Sequence, residues 1–275
     1  MTLRQSPARD DEAGLRAAAV APGEPLLQVR GLRVEYLTGR GPVRAVDGVS
    51  FEIRKGEVLG LAGESGCGKS TIANAVTRLL KPPARIAGGE VRFAGQDVLA
   101  MDPETLRRFR WSRVSIVFQS AMNALNPDLI IMDEPTTALD VVVQKEIMQQ
   151  IEDLKEQFGF SILFITHDLS LLVEFSDRIA IMYAGKIAEL APARELFREP
   201  KHPYTVGLMS SFPSIVGPRQ RLAGIPGAPP DLAAPPAGCR FHPRCPHVMA
   251  VCSAREPVLR EIGPAHEVAC HLYPS

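Results

Sequence analysis

Gly63-Glu64-Ser65-Gly66-Cys67-Gly68-Lys69-Ser70-Thr71 contains glycine, four residues, glycine, lysine and serine, and its flanks decide what that spelling means. Ahead of it, Glu57 to Ala62 reads as a buried strand. Behind it, Ser70 to Leu80, with apolar Ile72, Ala73, Val76, Leu79 and Leu80, reads as a helix. Strand, loop and helix in that order predict a phosphate-binding loop. Glycines at 63, 66 and 68 let successive backbone N–H groups turn inward around a phosphate chain, and the helix start adds the positive end of its dipole. Lys69 would reach the β and γ phosphates, and the Ser70 hydroxyl would hold the Mg²⁺ that bridges them.

Working outward, Leu129-Ile130-Ile131-Met132-Asp133-Glu134 reads as a strand buried on both faces that ends in two carboxylates. Charge at such a place needs a cation or a reacting group. Asp133 would hold Mg²⁺, directly or through water, and Glu134 would polarise the water that attacks the γ-phosphate. Val114 to Phe118 reads as a strand that delivers Gln119 to a ligand crevice. Asp140 caps a helix to about Gln157, with Ile147, Ile151, Leu154 and Phe158 on one face and Gly159 at its end. Phe160 to Ile165 is a further buried strand, and His167 after it is placed to reach a γ-phosphate.

Upstream, Leu27 to Tyr36 and Val46 to Ile53 suggest extended chain around a turn at residues 39–42. Tyr36 reads equally as core packing or as a stacking platform for adenine. Gly88-Gly89 suggests a turn into a strand from Glu90 to Phe93. Asp102-Pro103 opens a short helix whose Arg107, Arg108 and Arg110 belong on a solvated face. Arg178 to Tyr183 and Lys186 to Leu190 form a hairpin around Ala184-Gly185. The fold class is α/β, a phosphate-loop nucleoside-triphosphatase core with an antiparallel β subdomain and a small C-terminal Cys-rich appendage.

The chain has 275 residues, 45% of them hydrophobic, and a formal net charge of zero, so nothing indicates nucleic acid as a partner. No apolar run reaches membrane-spanning length, and the charged first residues lack the apolar stretch of a signal peptide. A cytosolic location is expected, and with it five cysteines free of disulfides. Residues 1–24 read as a disordered tail and 25–212 as the nucleotide-binding domain. Residues 213–238 are a stiff Pro-rich linker, and 239–275 a Cys-bearing module. Cys239, Cys245, Cys252 and Cys270, in a segment too short for its own core, suggest a stabilising metal site. Zn²⁺, with possible help from His242, His247, His266 and His271, a [4Fe–4S] cluster, and reduced thiols all remain open.

The phosphate loop, the Gln119 strand, Asp133-Glu134-Pro135-Thr136-Thr137-Ala138-Leu139-Asp140 and the His167 segment, in this order, resemble the ATPase subunit of an ATP-binding cassette (ABC) transporter. The resemblance covers residues 26 to 275. Glu199-Pro200-Lys201-His202-Pro203-Tyr204-Thr205, Gly238 to Pro246 and Ala269-Cys270-His271 are similar to the dipeptide and oligopeptide import ATPases. The resemblance implies ATP and Mg²⁺ bound by residues 63 to 71, with Tyr36 stacking on adenine. It makes Gln119 the link between Mg²⁺ and the membrane subunits, Glu134 the catalytic base, Asp140 part of a dimer contact and His167 the γ-phosphate sensor. It favours a structural [4Fe–4S] cluster on the four late cysteines over zinc. The implied partners are transmembrane permease subunits, a second ATPase subunit in a homo- or heterodimer and, indirectly, a periplasmic or extracellular solute-binding protein. The implied place is the inner face of the plasma membrane.

One departure from the family pattern is large. The family carries a helical subdomain with a Leu-Ser-Gly-Gly-Gln-type signature between the positions of Gln119 and Asp133, where this chain has only Ser120 to Met132 and no such signature. Asn123-Ala124-Leu125-Asn126-Pro127 resembles the family's text after the glutamine, and Pro127-Asp128-Leu129-Ile130 its text before the acidic pair. The chain reads as an in-frame internal deletion near 120–128. The expected function is energy coupling for peptide import, impaired by that loss. The alternatives are a catalytically weak or regulatory nucleotide-binding subunit, a nonfunctional deletion product and, as a different enzyme class, a phosphate-loop kinase.

Overall fold

In the computed structural model, residues 24–117, 127–136, 140–211 and 224–273 are described. Gln119, the expected junction near 120–128 as far as residue 126, the tail up to residue 23 and residues 137–139 lie outside them.

Strand β1 (Pro25–Thr38) pairs antiparallel with β2 (Gly41–Arg54), so both are longer than the apolar alternation alone suggested. The chain then enters β3 (Val58–Ala62) and α1 (Lys69–Val76) before β4 (Ala84–Phe93) returns to the other edge of β1, followed by β5 (Gln96–Asp97). Gly88 and Gly89, expected as a turn, instead lie inside β4 next to a register shift. A Cβ on Gly89 would stand 2.5 Å from the Gly31 carbonyl oxygen and from Leu32 Cα, so the bulge needs glycine for backbone to approach backbone.

Helix α1 stops four residues short of the expected Leu80. Thr77 Oγ1 donates to the Ala73 carbonyl at 2.9 Å, Arg78 turns left-handed at φ 53, and Leu79 N donates back to Asn74 O at 2.7 Å. Helix α2 (Pro103–Ser112) starts as expected, with Asp102 accepting from the Glu104 and Thr105 amides. Arg110, expected on a solvated face, is half-buried and donates to the Thr77 and Arg78 carbonyls, where a cation suits the end of α1.

The remaining strands are β6 (Val114–Val117), β7 (Leu129–Asp133), β8 (Ser161–Ile165), β9 (Arg178–Tyr183), β10 (Lys186–Pro192), β11 (Arg260–Gly263) and β12 (His266–Val268). Between and after them run α3 (Val141–Phe158), α4 (Leu169–Phe175), α5 (Ala193–Arg198), α6 (Pro203–Ser210), a 3₁₀ turn His242–Arg244 and α7 (Ala250–Ala254). They make one sheet in the order β11-β12-β10-β9-β3-β8-β7-β6, parallel from β9 to β6 and antiparallel beyond. Among the described residues no helix is long and apolar enough to cross a membrane.

Alternate residues of the central strands feed two cores. Leu59, Leu61, Leu129, Ile131, Leu163 and Ile165 pack with α1 and the antiparallel sheet. Val58, Ala62, Ile130, Met132, Ile162 and Phe164 pack with α3, α4 and the C-terminal segments. Of the apolar face expected on α3, Ile151 is buried and Ile147 and Leu154 are half-buried, but Phe158, the last residue of the helix, is 50% exposed. The Cys-bearing segment is no separate body: β12 pairs with β10, and Phe241 lies in the second core. The later half of the Pro-rich stretch also lends Ile225 and Leu232 to that core.

Between β10 and β12 lies a buried polar knot. Glu189, fully buried, accepts from His266 Nε2 (2.7 Å) and from the Lys201 and His202 amides (2.7 and 2.9 Å). His202 caps α6, its Nδ1 accepting from the Tyr204 amide at 3.0 Å. Burial holds its pKa down to about 4 from an ordinary 6.5, against the raising influence of Glu189. Below about pH 6.5 the unfolded chain therefore takes up a proton that the folded protein refuses, and stability falls as pH drops towards 4. Urea unfolding should show this ring destabilising the protein by about 2 kcal/mol at pH 5 relative to pH 7. His202→Asn, which keeps a capping oxygen and does not titrate, should lack that part of the loss.

Candidate nucleotide site

Strands β3, β8 and β7 are parallel neighbours, so the loops leaving their carboxyl ends meet on one edge of the sheet. These loops are residues 63–68, 166–168 and 134–136. Their spacing is locked by Glu134 N donating to Ile165 O at 2.8 Å, across the strand pair that ends in Asp133 and Ile165.

The first loop wraps tightly. Gly63 has φ 147, and a Cβ there would collide with the Met182 carbonyl oxygen and stand 2.9 Å from Cys67 Sγ. The Gly185 amide donates to Cys67 O at 2.9 Å, so the β9–β10 hairpin braces the loop from outside. Ser65 and Gly66 stay exposed at its tip. Lys69 is buried and folds back over the loop, its Nζ donating to Gly63 O (2.7 Å) and Glu64 O (3.2 Å). Burial raises the pKa of Cys67, with Lys69 opposing, which keeps it a thiol.

Ser70 is exposed on the first turn of α1, near enough to Asp133 for its hydroxyl to act on that carboxyl. Burial pushes the Asp133 carboxyl up, as does the neighbouring Glu134 charge, while Ser70 and Lys69 pull it down. Asp133 Oδ1 is buried with no hydrogen-bond partner. A partly desolvated carboxylate with a free buried oxygen beside a serine hydroxyl offers oxygen ligands of the kind Mg²⁺ takes, while Lys69 is placed for the phosphates and not for the metal. Glu134 adopts a left-handed φ of 52, and its Oε1 lies 3.3 Å from His167 Nδ1. Such a backbone angle on a non-glycine residue is a strain that sites tend to hold. Thr71 Oγ1 lies 3.3 Å from the Tyr36 hydroxyl, so the aromatic of β1 stands half-buried against the start of α1.

The expected residues 63 to 71, Asp133, Glu134, His167 and Tyr36 are thus brought together; Gln119 is outside the described residues. Sequence reasoning missed Tyr204, Tyr183 and Arg244. Tyr204 Oη accepts from the Glu64 amide at 2.9 Å, and Arg244 holds the Glu64 carboxylate through both terminal nitrogens. No local pattern marks a residue that acts 140 or 180 positions away.

The late cysteines form a loose group. Cys239 feels Cys252, Cys270 and Cys245, and burial first, then these neighbours, push its thiol up to about 11. Burial and neighbouring cysteines also raise Cys245 and Cys270. Yet among the described residues no group of three or more His, Cys, Asp or Glu stands close enough to hold a metal ion, so the four cysteines are near one another without forming a ligand set.

Residues 46–170 match the family described as ABC transporter, and residues 188–252 the oligopeptide/dipeptide transporter C-terminal region. The dipeptide transport ATP-binding protein DppD of Caldanaerobacter subterraneus subsp. tengcongensis is 33% identical, covering 90% of this chain and 97% of its own. The oligopeptide transport ATP-binding protein OppD of Escherichia coli is 34% identical, covering 89% of this chain and 92% of its own. The first alignment runs over 317 residues, whereas 90% of 275 is about 248, so about 70 of its positions have no counterpart here. Among solved structures, the ATP-binding cassette MJ0796 bound to ADP and Pi superposes with a TM-score of 0.54 at 23% identity, covering 61% of this chain and 99% of that chain, a likeness of fold.

Gly63→Ala, which forces a side chain against backbone at a positive φ, should cost roughly 2 kcal/mol or more in urea unfolding. Lys69→Ala should abolish saturable binding of labelled MgATP.

Proposed function

The chain belongs to the ATP-binding subunits of ABC transporters that carry the oligopeptide/dipeptide C-terminal region, and from that premise we propose that it couples ATP to the uptake of dipeptides or oligopeptides. The observation that carries this reading is the gathering of the phosphate loop, His167 and the Asp133-Glu134 pair on adjacent parallel strand ends. Permease subunits and a second ATPase subunit are its partners, and the inner face of the membrane its place.

In this reading the backbone amides of 63 to 69 wrap the phosphates and Lys69 leaves its two carbonyls for the β and γ oxygens. Ser70 and Asp133 would hold Mg²⁺, which supplies charge neutralisation on the phosphate oxygens. Glu134 takes a proton from the attacking water as general base, and His167, within hydrogen-bond reach of that carboxylate, orients it towards the γ-phosphate. Tyr36 stacks on adenine, and Gln119 reports the site to the permease.

The connection from Val117 to Leu129 argues for reduced hydrolysis. Those strands are parallel neighbours, and only 118–128 lie between them, where a helical crossover alone takes a dozen residues or more. The unmatched positions of the relatives fit the absence of a helical subdomain and its signature from this stretch. A chain so built binds ATP and cannot complete a partner's site, while an intact partner can still complete its own. The same observation supports the second reading, a catalytically weak or regulatory subunit.

We also assign Cys239, Cys245, Cys252 and Cys270 to one structural metal site, with a [4Fe–4S] cluster preferred over Zn²⁺. The support is four cysteines within one short segment with little core of its own, two of them joined through the Cys239 amide donating to Cys252 O at 2.7 Å.

The purified chain should bind MgATP, turn it over weakly alone and gain ATPase activity when mixed with an intact homologous subunit. Glu134→Gln should leave MgATP affinity within about twofold and lower the mixture's rate at this site about 10²-fold or more. Robust turnover by the chain alone would overturn the impairment. Anaerobically purified protein should contain iron and acid-labile sulfide; one zinc per chain with neither would assign the cysteines to zinc instead.

A further inference from the structure

Glu64 is gripped on every polar atom that the loop offers at that residue. Its amide donates to Tyr204 Oη (2.9 Å), its carbonyl accepts from Lys69 Nζ (3.2 Å), and its carboxylate takes Arg244 in a two-pronged pair of 2.8 and 3.0 Å. The Arg244 side chain is only 6% exposed, and its remaining donors are spent on Pro226 O (2.8 Å), Gly227 O (3.4 Å) and Tyr183 Oη (3.2 Å). Tyr183, Tyr204 and Phe241 pack around this point with ring centroids 4.6 to 5.4 Å apart. A planar guanidinium held on all sides fixes direction as well as charge, so the carboxylate it clamps has one position.

The other end of the arginine is tied to the cysteines. Arg244 closes the 3₁₀ turn in which its amide donates to Phe241 O and that of Cys245 donates to His242 O, while the His242 amide donates to Cys239 O and the Cys239 amide to Cys252 O. A displacement of the cysteine backbone therefore reaches the guanidinium through three short links.

We propose that Arg244 is a positioning residue of the nucleotide site, which sets the path of loop 63–68 and the resting place of Lys69 through Glu64, and so makes ATP affinity depend on the state of the cysteine segment. This rests on the reading of the loop as an ATP site and adds a distant determinant of its affinity. The functional module at the end of the chain is then a structural wall of the phosphate loop.

Titration of the full chain with a fluorescent MgATP analogue tests this in the wild type, Arg244→Gln, Glu64→Gln, the double variant and Arg244→Lys. Each single Gln change should weaken binding about tenfold, and the double variant should be no weaker than either. Arg244→Lys, which keeps the charge without the two-pronged geometry, should recover only part of the loss. Cys245→Ser should weaken binding in the wild type and have no further effect in Arg244→Gln. Wild-type affinity in Glu64→Gln, or losses that multiply to a hundredfold in the double variant, would overturn the proposal. Glu64→Gln lies in the half-exposed loop and keeps the test decisive if Arg244→Gln fails to fold. Failure of the wild type itself to bind, with Lys69→Ala indistinguishable from it, would instead bring down the reading of the loop.

Discussion

Burial on both faces leaves the central strands β3, β8 and β7 no room for charge along their length, and the whole site follows from that constraint. Residues 58–62, 129–132 and 161–165 feed one core or the other at every position except Gly60 and Ser161. Charged and reactive residues are therefore displaced to the strand ends, and because the three strands are parallel, their carboxyl ends fall on the same edge. Asp133, Glu134 and His167 are neighbours for the same reason that Ile131 and Leu163 are.

The second contribution comes from late in the chain. The β9–β10 hairpin presses Met182 O and Gly185 N against the phosphate loop, and Arg240 reaches from beside Cys239 to Asp47 and to the Ala184 carbonyl. Together with Arg244, these contacts join the antiparallel sheet, the phosphate loop and the C-terminal segment into a single packed unit. The Cys-bearing segment is built onto this unit, since β12 continues the main sheet through β10.

Large apolar side chains on the helices α2 and α3 stand in the open. Trp111 and, on the far side of the connection in sequence, Val141 and Val142 stand 71%, 68% and 68% exposed. Apolar side chains so exposed gain nothing from the chain's own core. The start of β7 is nonetheless firmly held, with Asp128 paired to Arg113 and the Asp128 and Leu129 amides donating to Arg113 O.

Much of the site was legible in the sequence because its signals are local. Glycine spacing, a lysine and serine at a helix start, and paired carboxylates after an apolar run each report on a few consecutive residues, and the Asp102, Asp140 and Gly159 caps were readable for the same reason. Where local signals were ambiguous the tertiary structure decided otherwise: Gly88 and Gly89 became a bulge, Arg110 a cap for α1, and Phe158 a surface residue. Sequence alone determined that this chain has a phosphate loop facing a carboxylate pair, because the needed residues adjoin one another. Only the tertiary structure decided that Tyr204 and Arg244 hold that loop, because a contact between residues 140 and 180 positions apart is created by strand pairing and core packing, which no short stretch of sequence encodes.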